Sequence, residues 1–378
     1  GVQIGGHNFV QTGLPFTRQV KQIVVDVIKD NDEENVTERD SSYLRSDSIE
    51  SSAGHSFRLD VRNWNKIDTR DALIFLPGFN SWLKHSLETF GQLLAMTPKL
   101  SRHVYPVLFA WPGAQVLTYR KASFISASEN NKKYFLQMLT SLQSRGITNV
   151  HIVSHSLGAQ TLMNCFEDVC GEPSPVAQCF GPARLAGDNA SSALNLGKLV
   201  CRSITMLNPD FPSHAFRERG FQSIRRVTSL ITIVGDKADQ ALFWSSLING
   251  LVNGCGRSQP SVLDFEDRCE QRGLQAPLGR NINLLYLDET KGKGGTLASQ
   301  SEGGGDGKAW LDCDVIDTTG LDTNVNDLRH SAFNVNSILL RDIEELVVTG
   351  KRAADRTTLL HKRGNIYEFC HAPSFIKF

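Results

Sequence analysis

Apolar positions along the chain fall in short blocks whose period switches back and forth. Ala72 to Leu76 is an unbroken apolar run of strand length. It is followed by the turn Pro77-Gly78-Phe79-Asn80, and then by Leu83, Leu87, Phe90 and Leu94, which recur at helical spacing. Side chains alternate across a strand but return to one face of a helix every 3.6 residues, so this block predicts a buried strand and then a core-facing helix. The pattern repeats. Val104 to Ala110 reads as a strand leading through Trp111-Pro112-Gly113 to a helix with Phe135, Met138, Leu139 and Leu142 on one face, stopped by Gly146. Val150 to Val153 reads as the next strand, Ser154 to Gly158 as a tight turn, and Ala159, Leu162, Met163 and Phe166 as the apolar face of the helix that follows. Further strands are expected at Ile204 to Leu207, Leu230 to Val234, Ile282 to Leu287 and Cys313 to Ile316. Apolar strands alternating with amphipathic helices imply a mostly parallel sheet covered on both faces, a three-layer α/β domain.

The pattern fails at both ends and once inside. Residues 29–54 are charged and Ser-rich with few apolar positions, and such a stretch cannot bury enough surface to offset its ordering entropy. We read residues 1–55 as an N-terminal arm and mobile linker, with one strand over Ile23 to Ile28. Residues 56–350 form the α/β domain, opening with the alternating Phe57, Leu59 and Val61, and residues 351–378 are a C-terminal tail. The Gly-rich stretch 290–310 contains Gly-Asp-Gly-Lys-Ala, which invites a phosphate-loop reading. The motif fails, because Glu302 stands where the first glycine belongs and Ala309 replaces the hydroxyl residue. A flexible surface insertion is the expectation.

Composition narrows the function. Forty basic residues balance forty acidic ones, which argues against a nucleic-acid partner, since that affinity rests on positive excess. No apolar run approaches the roughly 18 residues needed to span a bilayer. The chain opens on Gly1 without a basic, apolar, small-residue leader, so we expect natural N-terminal residues to precede it. Eight cysteines are scattered without a CxxC pair, and we expect reduced thiols, a cytoplasmic protein, no metal and no cofactor.

The sharpest chemical signal is Val150-His151-Ile152-Val153-Ser154-His155-Ser156-Leu157-Gly158-Ala159, an apolar strand running into small-x-Ser-x-Gly and then a helix. A nucleophilic serine at such an elbow needs small neighbours two residues away on each side. Gly158 meets this need, and Ser154 stands where the first glycine is usual. A serine hydroxyl also needs a base, and the imidazole base needs a carboxylate to hold its tautomer. Asp236 and Asp239 lie in the loop after the strand ending at Val234, and His330 lies between the last predicted strand and the last helix. The order Ser156, Asp239 or Asp236, His330 is that of a hydrolase triad on an α/β sheet. His155 reads as a packing residue, Asp210 as a turn carboxylate, and the remaining histidines form no metal set.

With these residues in view, the chain resembles the α/β-hydrolase superfamily. Within it, the chain is similar to an esterase-like family catalogued as a domain of unknown function and known mainly from bacterial genomes. The resemblance is carried by Phe75-Leu76-Pro77-Gly78-Phe79-Asn80, Phe109-Ala110-Trp111-Pro112-Gly113 with Tyr119, the elbow at Ser156, Asp239-Gln240-Ala241-Leu242, and Val315-Ile316-Asp317 before His330-Ser331. It covers roughly residues 70–350. It implies an α/β-hydrolase fold and Asp239, rather than Asp236, as the triad acid. Pro77 departs from the histidine that many relatives carry before the glycine. The expected oxyanion donors are the backbone N–H groups of Leu157 and Phe79, and Asn80, Trp111 and Tyr119 are candidates to line the substrate pocket. The expected activity is cleavage of a small carboxylic ester through an acyl-enzyme. A lipase, thioesterase or amidase with the same triad is the alternative within enzymes, and a non-catalytic ligand- or partner-binding protein is the alternative outside them.

Overall fold

The computed structural model describes residues 24–28, 49–52, 56–59, 69–81, 83–111, 119–168, 171–183, 197–252, 276–287, 298–299, 309–321, 330 and 336–370. Its strands are β1 (Val24–Ile28), β2 (Ile49–Ser52), β3 (Ser56–Leu59), β4 (Asp71–Leu76), β5 (Tyr105–Leu108), β6 (Asn149–His155), β7 (Val200–Leu207), β8 (Ile231–Gly235), β9 (Tyr286–Leu287), β10 (Ala298–Ser299), β11 (Ala309–Leu311), β12 (Asp314–Asp317), β13 (Leu359–Arg363) and β14 (Ile366–Phe369). Its longer helices are α1 (Leu83–Met96), α2 (Pro98–His103), α3 (Tyr119–Ser126), α4 (Glu129–Ser144), α5 (Gly158–Phe166), α6 (Gln240–Val252) and α7 (Ser337–Thr349).

One sheet organises the molecule, in the order β13-β14-β12-β8-β7-β6-β4-β5-β1-β3-β2. The strands from β14 through β1 in that order run parallel, and β13, β3 and β2 add antiparallel edges. The alternation along β4 shows how the layers arise. Ala72, Ile74 and Leu76 face a core closed by Phe135, Met138, Leu139 and Leu142 of α4 and by Leu162 and Phe166 of α5. Leu73 and Phe75 face the opposite core, closed by Leu87, Phe90 and Leu94 of α1 and by Leu340, Ile343 and Leu346 of α7. Burying such side chains contributes about 1.5–3 kcal/mol each, and with both faces covered the central strands are apolar throughout. Helix ends follow local chemistry. The Ser128 side chain accepts from the Asn131 N–H at the start of α4, and Gly350 ends α7 at φ 67, in the left-handed region glycine adopts without steric cost.

Three expectations differ from the structure. The apolar run Ile282 to Leu287 is not a strand of the main sheet. Ile282–Leu284 is a 3-10 turn, and Tyr286–Leu287 pairs with β11 in a separate small sheet with β10. A short apolar run does not by its period distinguish a strand from a buried turn. Secondly, the stretch read as a C-terminal tail carries β13 and β14, and β14 pairs parallel with β12. Its polar sequence hid it, since residues 360–363 of the edge strand β13 face solvent. Thirdly, of the charged 29–54 segment only Ile49–Ser52 is described, as strand β2, and the rest of the linker reading lies outside the described residues. Within the Gly-rich 290–310 stretch the structure describes β10 and the start of β11, and the flexible-insertion reading otherwise lies outside the described residues. Trp310 is buried against Gly364, where a side chain would collide with the indole.

Candidate active site

The carboxyl ends of β4, β6, β7 and β8 lie side by side, with Leu76 opposite Ser154, His155 opposite Leu207, and Leu207 opposite Val234. Loops at this edge of an open α/β sheet are where ligands bind. Beyond β6 the chain turns at Ser156, whose φ of 52 is in the left-handed region that non-glycine residues avoid. Such strain costs on the order of 1–3 kcal/mol and persists only where surroundings impose it. Here they do. The Ser156 N–H donates to the Leu207 carbonyl, and the Ser156 carbonyl accepts from the Asp210 and Ala159 N–H groups, all at 3.0 Å.

The two glycines of the elbow region are required by close approach. A Cβ on Gly158 would lie 2.5 Å from the Leu76 carbonyl oxygen and 2.6 Å from that of Pro77. A Cβ on Gly78 would lie 2.8 Å from the Cβ of Ser156. Ser154, in the place of the usual first glycine, is fully buried, and its hydroxyl has no partner among the described residues. The Pro77–Phe79 turn is held from behind by Trp111, a buried side chain whose indole N–H donates to the Pro77 carbonyl at 2.7 Å. Trp111 is therefore tied to the turn. Phe79 is half-buried and meets the ring of Tyr119 edge-on, with centroids 5.7 Å apart, while Asn80 is exposed at φ 56. Among the described residues, neither the Leu157 nor the Phe79 N–H is bonded to a backbone carbonyl.

Asp239 and His330 come together. The His330 Nδ1–H donates to Asp239 Oδ2 at 2.6 Å, which leaves Nε2 as the basic nitrogen of the ring. Asp239 is fully buried, and its other oxygen accepts from the Leu242 N–H at 2.9 Å, so the helix that starts after it holds the carboxylate. Asp236 does a different job: its Oδ1 accepts from the Ala238 N–H at 2.8 Å within its own loop.

Asn208 and His155 surround this pair in roles the sequence did not reveal. Asn208, at φ 42 just past β7, donates from Nδ2 to Asp239 Oδ2 at 2.9 Å and to the His330 carbonyl at 3.2 Å. The His155 Nε2–H donates to the same carbonyl at 3.0 Å, and the two imidazoles lie 4.8 Å apart. Burial, and then the neighbouring His330, push His155 down to about 3, so its ring is neutral. The one available signal was position, since polar residues at the carboxyl end of a parallel strand face the site. A second buried carboxyl, Asp210, takes the Tyr119 hydroxyl at 2.5 Å and the Ser245 hydroxyl at 3.1 Å. Burial raises its pKa, against the opposing hydrogen bond from Tyr119. Among the described residues no three His, Cys, Asp or Glu side chains gather as a metal set would, and no helix is long and apolar enough to cross a membrane.

A strained serine at a strand-helix elbow, following the His155 whose ring bonds the carbonyl of the carboxylate-bound His330, at the carboxyl edge of a parallel sheet, is an arrangement suited to nucleophilic acyl transfer. A search of curated proteins finds no match to the chain. A family model described as alpha/beta hydrolase of unknown function (DUF900) matches residues 53–292, more than half of the 378, and the chain belongs to that family.

Proposed function

We propose that this protein is a serine hydrolase that cleaves small carboxylic esters, with Ser156 as nucleophile, His330 as general base and Asp239 as the acid that orients it. The observation that carries the reading is the pairing of a left-handed Ser156 at the elbow with the 2.6 Å bond from His330 Nδ1 to Asp239. The carboxylate fixes the tautomer in which Nε2 accepts a proton and stabilises the imidazolium that follows. Ser156 Oγ bonds to the ester carbonyl carbon as its proton passes to His330 Nε2, and the N–H groups of Leu157 and Phe79 hold the oxyanion. Collapse of the tetrahedral adduct expels the alcohol, which takes the proton from His330. Water then attacks the acyl-enzyme carbonyl and gives one proton to His330, and as the bond to Ser156 Oγ breaks that proton passes to Oγ and the carboxylic acid leaves. Asp239 takes up no proton in these steps, and each is completed by these side chains and water.

The test is intact-mass labelling with a fluorophosphonate, followed by peptide mapping, on the protein and on Ser156→Ala. A single adduct on Ser156, absent from the variant and accompanied by turnover of an activated short-chain ester, is the expected result. The variant should lose on the order of a million-fold in kcat, as subtilisin does on loss of its serine. Near-native turnover by Ser156→Ala, or an adduct elsewhere, would reject the assignment.

A further inference from the structure

His330 is the one residue described between Leu321 and Asn336, so its described attachments are side-chain contacts rather than a strand or helix. The Asp239 bond fixes one ring nitrogen, but a single hydrogen bond leaves the ring free to pivot about it. Among the described residues, the main chain of His330 is held at its carbonyl, which receives two N–H donors, one from His155 and one from Asn208. His155 is the last residue of β6 and is bonded through the chain to Ser156. We infer that His155 is a positioning residue, whose Nε2–H locks the backbone of His330 to the strand that carries the nucleophile.

The consequence is geometric. Ser156 and His330 lie far apart in sequence, and the His155 bond reduces their linkage to one side chain and one hydrogen bond. Displacing a catalytic group by about 1 Å can cost a hundred-fold in rate. The donor must also remain an uncharged N–H, because a second positive ring 4.8 Å from His330 would oppose the imidazolium formed during turnover. Burial keeps His155 neutral, and the carbonyl acceptor keeps the proton on Nε2. Nothing in this role requires His155 to touch the substrate.

The inference rests on the hydrolase reading, and the experiment separates the two. His155→Phe keeps most of the ring volume and removes the donor, whereas His155→Gln puts an amide N–H close to the place of Nε2. For each variant, kcat and KM on an activated short-chain ester, the fluorophosphonate labelling rate and the melting temperature are measured. The low-field NMR signal of the His330 Nδ1 proton held by Asp239 is recorded as a readout that needs no activity. We expect His155→Phe to lose about a hundred-fold in kcat with KM changed less than about three-fold, and to lose or broaden the low-field proton. His155→Gln should recover most of the rate and retain the signal. Wild-type kcat in His155→Phe, or equal defects in the two variants, would overturn the inference. If His155→Phe does not fold, His155→Ala, which only removes atoms, carries the same comparison. If the wild type neither labels nor turns over, the hydrolase reading falls. The clamp then stands or falls on whether the low-field proton is lost in the Phe variant and kept in the Gln variant.

Discussion

The two ends of the central sheet use buried polar groups in opposite ways. At the amino end of β12, arginines pair with carboxylates. Arg352 reaches Asp312 and Asp314, each at 2.9 Å, Arg225 reaches Asp312 at 2.5 Å, and Arg356 meets Asp342 at 2.6 Å with both side chains at most 1% exposed. Beyond the carboxyl ends of β6, β7 and β8 the polar groups are a serine, an asparagine, two histidines and carboxylates, and their bonds run mainly to N–H groups, carbonyls and hydroxyls. A guanidinium cannot change its charge in the accessible pH range, so the first end is committed to structure. An imidazole can, and the second end is free to move protons. Breaking the first should therefore cost stability, and breaking the second should cost rate.

The largest expected effect is at the carboxyl end. Asp239→Asn keeps the shape of the acid but offers His330 an amide, which removes the reason for Nδ1 to carry the proton. By analogy with the same change in the trypsin triad, kcat should fall about ten-thousand-fold. Asp239 accepts from the Asn208 amide, the Leu242 N–H and His330, and an amide that turns its NH2 toward His330 keeps its oxygen on the Leu242 N–H. The loss in melting temperature should be small beside the loss in rate. A large fall in melting temperature with kcat preserved in the folded fraction would erase the distinction between the two ends.

Arg356→Met is the opposite case. It removes the cation from Asp342 in a site where neither side chain is exposed by more than 1%, and leaves the carboxyl buried with the Thr358 hydroxyl but without its charge partner. Removing one member of such a pair costs about 3–5 kcal/mol. Urea unfolding should show the loss, while kcat per folded molecule stays at the wild-type value. Unchanged stability would show that Asp342 is neutral or hydrated despite its burial.

How much of this was legible in the sequence follows the same division. The elbow at Ser156 and the chain order of Asp239 and His330 could be read because strand, turn and helix signals are local. The residues that hold the site together could not. Asn208 and His155 act on a backbone carbonyl of residue 330, and a carbonyl has no signature in sequence. Trp111, a candidate pocket wall by position, turns out to hold the Pro77 carbonyl from the core side. The edge hairpin β13–β14 escaped for another reason: an outer strand needs only one apolar side, so Leu360-His361-Lys362-Arg363 carries no strand-like run. The misassigned Ile282 to Leu287 shows the converse: Ile282 and Leu285 are buried, yet the segment does not join the main sheet.

The smallest effect separates two histidines of one strand. His151 and His155 both lie on β6, on the same face, and burial pushes each down to about 3. In the unfolded chain both take a proton near 6.5. Between these values the unfolded state binds more protons, so the stability from keeping the rings neutral is complete above about pH 6.5 and is lost as the pH falls toward 3. Each ring contributes a slope of up to roughly 1.4 kcal/mol per pH unit. Their surroundings differ, however: His151 Nδ1 is 2.8 Å from the Ser203 hydroxyl inside the sheet, whereas His155 bonds the chain of His330. His151→Asn can keep a bond to Ser203 and cannot titrate. Its unfolding free energy, measured in urea from pH 7 to pH 4, should show a slope shallower by roughly 1 kcal/mol per pH unit, with kcat unchanged. His155→Phe should flatten the same slope but also lower kcat, because it removes the hydrogen bond to the carbonyl of His330. An unaltered slope in His151→Asn would mean that His151 already carries its proton in the folded protein, and burial alone would then be a poor guide to charge on this strand.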